Sequence, residues 1–257
     1  MSMTTSLASP PEACLLRCKD NYMNEMHNLL ASNTAEWSVN LVTPLQNLFD
    51  AVDHRSVRIR VQLSCQAHDE FMRCLNECPA TPARRAILNG QESWSSICSA
   101  FRTDDEFREM ILPCMALHGG AISHKCHIHA LMVQNCMLDL MHHGVRDIHN
   151  NLADLCRAIN IYDQCYLSQT DTYCGGRAWR FLLDLNQKTS TALIKLLSES
   201  SVIEELPGVC QQWASPEKYA QLFADRLSGA TSIASGILFL LSIIISHRVF
   251  LLQYVHH

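Results

Sequence analysis

Cysteine is the residue type whose number and spacing most clearly indicate chemistry in this chain. The sequence has 257 residues and 13 cysteines, and reducing compartments give a cell little reason to keep so many thiols in one domain. We therefore expect a framework of about six disulfides, each worth roughly 2–4 kcal/mol, and leave Cys210 unassigned. The alternative is that several cysteines are buried free thiols. The disulfide candidates are Cys14, Cys18, Cys65, Cys74, Cys78, Cys98, Cys114, Cys126, Cys136, Cys156, Cys165 and Cys174.

Two pairs of these cysteines, Cys14 with Cys18 and Cys74 with Cys78, are each spaced four residues apart. Residues at that spacing lie on one face of a helix, where their Cβ atoms point in the same direction. The two members of a pair cannot easily bond each other. We expect each pair to join its own helix to neighbouring helices.

A second constellation lies at His68 and Asp69, three residues after Cys65. It resembles the Cys-Cys-x-x-His-Asp stretch of secreted phospholipases A2. That resemblance implies a histidine that activates water and an aspartate that holds calcium. Those enzymes carry a glycine-rich calcium loop before this helix, whereas the comparable Gly175-Gly176 pair of this chain comes far downstream. A hydrolase is therefore the least favoured hypothesis, and we expect no enzymatic activity.

A histidine cluster invites a metal hypothesis, because His124 and His127 are three residues apart and could share a zinc ion. The sequence contains neither a C-x₂-C pair nor an H-E-x-x-H motif, which are the spacings of dedicated zinc sites. We expect a solvated helix face here, with no metal and no cofactor.

The composition indicates packed helices. Only 9 Gly and 8 Pro accompany 48% hydrophobic residues, which is unlike a turn-rich sheet protein or a disordered chain. The formal net charge of −5 provides no basic surface to neutralise phosphates. We therefore predict an all-α, disulfide-stapled domain that does not bind nucleic acid.

Helical periodicity is clearest from Gly175 to Ser198, where apolar residues recur at the i, i+3, i+4, i+7 spacing. Thr103 and Glu106 form a capping-box pattern that predicts a helix start, and Ser215 before Pro216 predicts another. Further helices are predicted over 12–31, 57–77, 84–98, 121–141 and 150–167.

The C-terminal segment differs from the rest of the chain. Leu227 to Ser246 is a run of 20 uncharged residues, which is long enough to cross a hydrocarbon core of about 30 Å. We predict a disordered N-terminus at 1–11, a cysteine-rich helical domain at 12–213, a juxtamembrane connector at 214–228 and a hydrophobic segment at 229–257. Membrane attachment is expected through residues 229–251, by a spanning helix in preference to a glycolipid-anchor signal or a buried helix.

The order of these features resembles the nematode family built on the chondroitin proteoglycan 4 domain. The resemblance covers about residues 12–180. It rests on the four-residue cysteine spacings and on Tyr162-Asp-Gln-Cys165 and Cys174-Gly175-Gly176 with Ala178 and Trp179. It implies a secreted, disulfide-bonded, non-enzymatic domain, in a family linked to eggshell and extracellular matrix.

The function predicted from these observations is a binding or structural role at the extracellular side of a membrane, with a matrix or cell-surface protein as partner. The second hypothesis is a tail-anchored protein that faces the cytosol and keeps its thiols reduced. It is motivated by the first residues, 1–11, which contain no signal-peptide core.

Overall fold

The computed structural model describes residues 11–30, 54–143, 147–199, 203 and 205–226. Residues 1–10 of the predicted N-terminal segment and all of the hydrophobic segment at 229–257 lie outside the described residues. Within the described part of the chain, no helix combines the length and the apolar character needed to cross a membrane. The chain divides into two compact units, Met1–Ala214 and Ser215–His257.

The described residues of the first unit form helices, as the composition predicts. A π-helical turn at Phe107–Ile111 leads directly into the fifth of them. Within the described residues of this unit, the helices are α1 (Pro11–Leu30), α2 (His54–Glu77), α3 (Pro82–Asn89), α4 (Glu92–Thr103), α5 (Leu112–Lys125), α6 (His127–His143), α7 (Ile148–Glu199) and α8 (Gly208–Trp213).

Helices α1 and α2 pack against each other as an antiparallel pair. Their direction follows from two disulfides, because Cys14 near the start of α1 is bonded to Cys78 just beyond the end of α2. The second bridge, Cys18–Cys74, lies one helical turn closer to the middle of each helix. The rings of Tyr22 and Phe71 stack between the helices with centroids 4.4 Å apart, and Met26 is fully buried below them on α1. Apolar burial and covalent bridges thus hold the same interface.

Helix α7 is the centre of the first unit, since α4, α5, α6 and α8 all pack against it. Gly175 interrupts it with φ 74° and ψ −178°, a conformation that residues with a Cβ rarely adopt. The break separates 148–174 from 176–199. The apolar stripe predicted for the second half is confirmed, because Ala178, Leu182 and Leu185 are buried.

Two of the predicted helices are each divided in the structure. The prediction of one helix over 84–98 was wrong because the chain turns between α3 and α4, where Gln91 leaves helical geometry with φ −90° and ψ 4°. Beside it, Gly90 lies close to α7, since a Cβ there would be only 3.2 Å from Leu196 Cδ1. The prediction of one helix over 121–141 was wrong because Cys126 leaves helical geometry, with φ −100° and ψ 8°. Cys126 is bonded to Cys165 of α7, so α5 ends at the residue that the disulfide holds against α7.

The predicted capping box at Thr103 is shifted by one residue. Thr103 is the last residue of α4, and its hydroxyl donates to the carbonyl oxygen of Ser99 at 2.9 Å. The Asp104 carboxylate is the actual cap, since it accepts from the backbone N–H groups of Glu106 at 2.8 Å and Phe107 at 3.2 Å. A carboxylate also complements the positive end of the helix dipole.

In the second unit the described residues end at 226, and residues 216–226 are helical. The predicted cap is confirmed, because the Ser215 hydroxyl accepts from the backbone N–H of Lys218 at 3.2 Å.

Candidate functional site

Six disulfides join the helices of the first unit to one another. Each has a Cα–Cα distance between 5.1 and 5.9 Å, within the usual range for a bridge. Each also connects residues of different helices, or a residue at the end of one helix to another helix. The pairs are Cys14–Cys78, Cys18–Cys74, Cys65–Cys98, Cys114–Cys174, Cys126–Cys165 and Cys156–Cys210.

The two bridges between α1 and α2 form one compact cluster of sulfur atoms, which we call the four-cysteine cluster: Cys14, Cys18, Cys74 and Cys78. The sulfur atoms of Cys14, Cys18 and Cys78 all lie within 4.8 Å of one another. Cys18 Sγ and Cys78 Sγ belong to different disulfides, yet they are 3.7 Å apart. That distance is close to van der Waals contact between two sulfur atoms.

Burial divides the four-cysteine cluster into an inner and an outer half. Cys18 is 1% exposed and Cys78 is 2% exposed, whereas Cys14 and Cys74 are both half-buried. Each disulfide therefore contains one buried and one accessible cysteine. The buried members of the two bridges are the pair in contact.

A cleft of about 450 Å³ opens beside this cluster, between α1 and α2. Cys18 and Cys74 form part of its wall, and the stacked rings of Tyr22 and Phe71 form another part. The hydroxyl of Tyr22 is buried without a hydrogen-bond partner, and burial raises the pKa of this phenol well above its ordinary value. Tyr22 is therefore neutral beside the cleft at physiological pH.

Three further bridges attach the first half of α7 to its surroundings. Cys174 is bonded to Cys114 of α5 and directly precedes the break at Gly175. Cys165 joins the junction of α5 and α6, and Cys156 joins α8. Helix α8 is held additionally by a buried hydrogen bond in which Trp213 Nε1 donates to Asp163 Oδ2 at 2.9 Å.

The structure differs from the expected set of disulfide cysteines at one position. Cys136 was expected in a bridge, but it is the free cysteine, and Cys210 takes the place in the framework instead. Cys136 lies on α6, half-buried, and burial followed by the carboxylates of Asp154 and Asp139 raises the pKa of its thiol. Sequence reasoning missed Cys210 because it lies near the predicted domain end, with no spacing motif to connect it to Cys156.

His68 and Asp69 have different surroundings. His68 is 3% exposed, neither of its ring nitrogens has a hydrogen-bond partner, and burial lowers its pKa. Asp69 lies at the surface and forms an ion pair with Arg102 at 2.5 Å. Asp69 does not orient the imidazole as the aspartate of a histidine-aspartate pair would, because neither imidazole nitrogen of His68 has a hydrogen-bond partner. The Asp69 carboxylate pairs with Arg102 instead.

His124 and His127, the residues for which a shared zinc ion was considered and not favoured, are both exposed. They lie on opposite sides of the helix break at Cys126, so the i, i+3 geometry that would let them share one ion is lost. Among the described residues, the one grouping of three metal-ligand side chains close enough for an ion is Cys14, Cys18 and Cys78. Those sulfur atoms are in disulfides, which are poor metal ligands because metals bind the thiolate.

Helix α6 carries a row of exposed apolar side chains. Ile128 is 67% exposed, and Leu131, Met132 and Leu138 are also exposed. Their spacing places them on one side of the helix, while Val133 is buried. Exposed apolar surface of this kind is typical of contact sites for other molecules. The comparisons with known proteins add no assignment, since no family model, curated protein or solved structure matches the chain.

Proposed function

We propose that this protein is a non-catalytic, cysteine-rich extracellular domain with a binding or structural role, attached to a membrane through residues 229–251. The observation that carries the proposal is the set of six disulfides joining the helices. Such a framework forms and persists in oxidising compartments. A matrix or cell-surface protein is the proposed partner, and the nematode chondroitin proteoglycan 4 domain family is the proposed relationship.

Support for a non-catalytic role comes from the surroundings of the residues that resemble a phospholipase. His68 is buried and Asp69 is paired with Arg102. The exposed apolar side of α6 supports a binding role, because it offers a contact surface on a domain stiffened by covalent bridges.

Support for membrane attachment comes from the sequence. The uncharged run from Leu227 to Ser246 has the length of a spanning helix. Arg248 follows it at a position where a long side chain can reach the headgroups.

The proposal is tested by alkylating the natively expressed full chain without reductant and mapping the labelled cysteines. We expect one labelled position, Cys136, because the other twelve cysteines are in bridges. Labelling of eight or more cysteines would overturn the extracellular assignment in favour of the tail-anchored, cytosol-facing alternative.

Membrane attachment is tested with cells that display the protein carrying a C-terminal epitope tag. We expect the domain to stay with the membranes after treatment with phosphatidylinositol-specific phospholipase C, and the tag to stay on the mature chain. A chain ending at 226 should appear in the medium. Release of the full chain by the lipase would identify a glycolipid anchor, and a full chain that never sediments with membranes would refute attachment.

The non-catalytic assignment is tested by assaying the purified protein for calcium-dependent release of fatty acid from phospholipid vesicles. We expect no release above background, and the same result for His68→Ala. Hydrolysis that this one substitution abolishes would refute the assignment.

A further inference from the structure

We propose that the four-cysteine cluster is a thiol–disulfide exchange centre, in which a dithiol reductant opens one bridge and the remaining bridge moves to the buried pair Cys18–Cys78. The product carries Cys14 and Cys74 as thiols while α1 and α2 stay covalently joined. The proposal concerns redox chemistry, and it goes beyond the binding or structural role proposed for the domain.

The two bridges of the cluster are in contact with each other. Exchange proceeds when a thiolate attacks a sulfur atom of a disulfide. Cys18 Sγ and Cys78 Sγ are 3.7 Å apart although they are not bonded to each other. Opening either bridge therefore leaves a sulfur atom in contact with the bridge that is still closed.

The two cysteines of each bridge differ in burial. The half-buried Cys14 and Cys74 are more accessible to a reductant than Cys18 and Cys78, which are 1% and 2% exposed. Cys18 lines the cleft beside Cys74, but almost none of its surface is open to solvent. The cleft between α1 and α2 gives direct access to Cys74, which forms part of its wall. Attack at an accessible sulfur always releases the buried member of that bridge as the leaving thiolate.

Exchange takes place in three steps that conserve atoms and electrons. A thiolate of the dithiol attacks Cys74 Sγ, the Cys18–Cys74 bond breaks, and Cys18 leaves as a thiolate. Cys18 then attacks Cys78 Sγ, so that the Cys18–Cys78 bond forms and Cys14 leaves as a thiolate that takes up a proton. The second thiol of the dithiol resolves the mixed disulfide at Cys74. Two electrons pass from the dithiol, which becomes a cyclic disulfide, to the protein, which gains two thiols.

Initial attack at Cys14 gives the same product. In that case Cys78 is released, attacks Cys18 Sγ and displaces Cys74. Both routes therefore end with the Cys18–Cys78 bridge, which is shielded from further reductant because both residues are buried.

The new bond requires the side chains of Cys18 and Cys78 to move towards each other. The two sulfur atoms must approach from 3.7 Å to a bonded distance of about 2.05 Å. Helix α2 ends at Glu77, so Cys78 lies just outside the helix. Its backbone N–H donates to the Leu75 carbonyl oxygen at 3.2 Å, and its carbonyl oxygen accepts from the Arg84 guanidinium. These two hydrogen bonds hold the backbone of Cys78, so the approach must come mainly from rotation of the side chains.

The test is limited reduction of the purified full chain with one equivalent of dithiothreitol, followed by alkylation and peptide mapping. Trypsin cleaves at Arg17, between Cys14 and Cys18, and cleavage after Glu77 separates Cys74 from Cys78, so all four positions are distinguished. We expect alkylated Cys14 and Cys74 together with a Cys18–Cys78 linked peptide as the major product. The Cys65–Cys98 bridge serves as the internal control and should stay closed.

Every other major product overturns the proposal. Alkylated Cys14 and Cys78 with an intact inner bridge would mean that the outer bridge opens without exchange, and alkylated Cys18 and Cys74 would mean the same for the inner one. Four alkylated cysteines, or opening of Cys65–Cys98 in preference to the cluster, would show that the cluster is not an exchange centre.

Two matched double variants test the same geometry without reductant. In Cys14→Ala/Cys74→Ala the remaining Cys18 and Cys78 should form a disulfide in the oxidised protein. In Cys18→Ala/Cys78→Ala the remaining Cys14 and Cys74 should stay as thiols. Free thiols in the first variant, or equally efficient bridging in both, would refute the assignment of Cys18–Cys78 as the exchanged bridge.

Discussion

Removing different disulfides from this protein should lower its stability by different amounts, because the loops that the bridges close overlap. We consider two double variants that each replace one bridge by alanines. Cys156→Ala/Cys210→Ala removes the bridge that holds α8 to α7. Cys14→Ala/Cys78→Ala removes the outer bridge between α1 and α2 and leaves Cys18–Cys74 in place.

The magnitudes follow from the loops that each bridge closes in the unfolded chain. Cys156 and Cys210 are separated by 54 residues, and neither of the bridges that start inside this loop provides a shorter path between them. A loop of that length corresponds to about 4 kcal/mol. While Cys18–Cys74 stays closed, the Cys14–Cys78 bridge closes a short loop that consists only of the segments 14–18 and 74–78. A loop of about ten residues corresponds to about 2.7 kcal/mol.

Urea unfolding of both variants without reductant, followed by circular dichroism, measures the difference. We expect Cys156→Ala/Cys210→Ala to lose about 1.5 kcal/mol more of its free energy of unfolding than the outer-bridge variant, which is roughly tenfold in the equilibrium constant. Equal losses, or the reverse order, would refute the reasoning from loop length.

Two further predictions concern titratable groups. Asp154→Asn should speed alkylation of Cys136 by about twofold at neutral pH, because the Asp154 carboxylate raises the thiol pKa in addition to burial. An unchanged alkylation rate, measured on samples quenched at successive times, would contradict this. For His68, burial lowers the pKa in the folded state below the ordinary value of 6.5. The unfolded chain therefore binds the proton more readily than the folded chain. As a result, stability is lost as the pH falls from about 6.5 through the folded pKa. The free energy of unfolding of His68→Gln should therefore depend less on pH between about 5 and 7 than that of wild type, whereas the exposed control His149→Gln should follow wild type.

The helical class was predictable because it depends on local properties. Few glycines and prolines and a 3.6-residue apolar period suffice to place helices, and the stripe after Gly175 is buried as expected. Helix ends were less predictable. The turn at Gly90 and Gln91 lies where α7 approaches closely at Leu196, and the end of α5 coincides with the bridge from Cys126 to Cys165. Both contacts involve residues far along the chain from the helix ends beside them.

The cysteine framework was predictable in kind but not in pairing. The four-residue spacing of Cys14 with Cys18 correctly indicated that the two do not bond each other, because residues on one helix face point in the same direction. The choice of Cys210 over Cys136 depends on α8 reaching α7, which no short-range pattern reports. The contact between Cys18 and Cys78 arises only when two helices meet in a fixed register.

The exchanged form of the four-cysteine cluster should be less stable than the native form. The exchanged form keeps a single bridge between α1 and α2, between Cys18 and Cys78, which closes a loop intermediate between the 56 and 64 residues of the original bridges. Losing one of the two bridges between α1 and α2 lowers the free energy of unfolding by about 2.7 kcal/mol, because the remaining bridge keeps the loop short. Losing the remaining bridge as well lowers it by about 4 kcal/mol more.

Cys14→Ala/Cys74→Ala, which mimics the exchanged form, should therefore unfold at nearly the same urea concentration as Cys14→Ala/Cys78→Ala. Cys18→Ala/Cys78→Ala, which is expected to have no bridge between α1 and α2, should be less stable than both by about 4 kcal/mol. If the first variant is instead as unstable as the third, its buried sulfurs do not form the bridge, and the cluster cannot accept two electrons while keeping α1 and α2 joined.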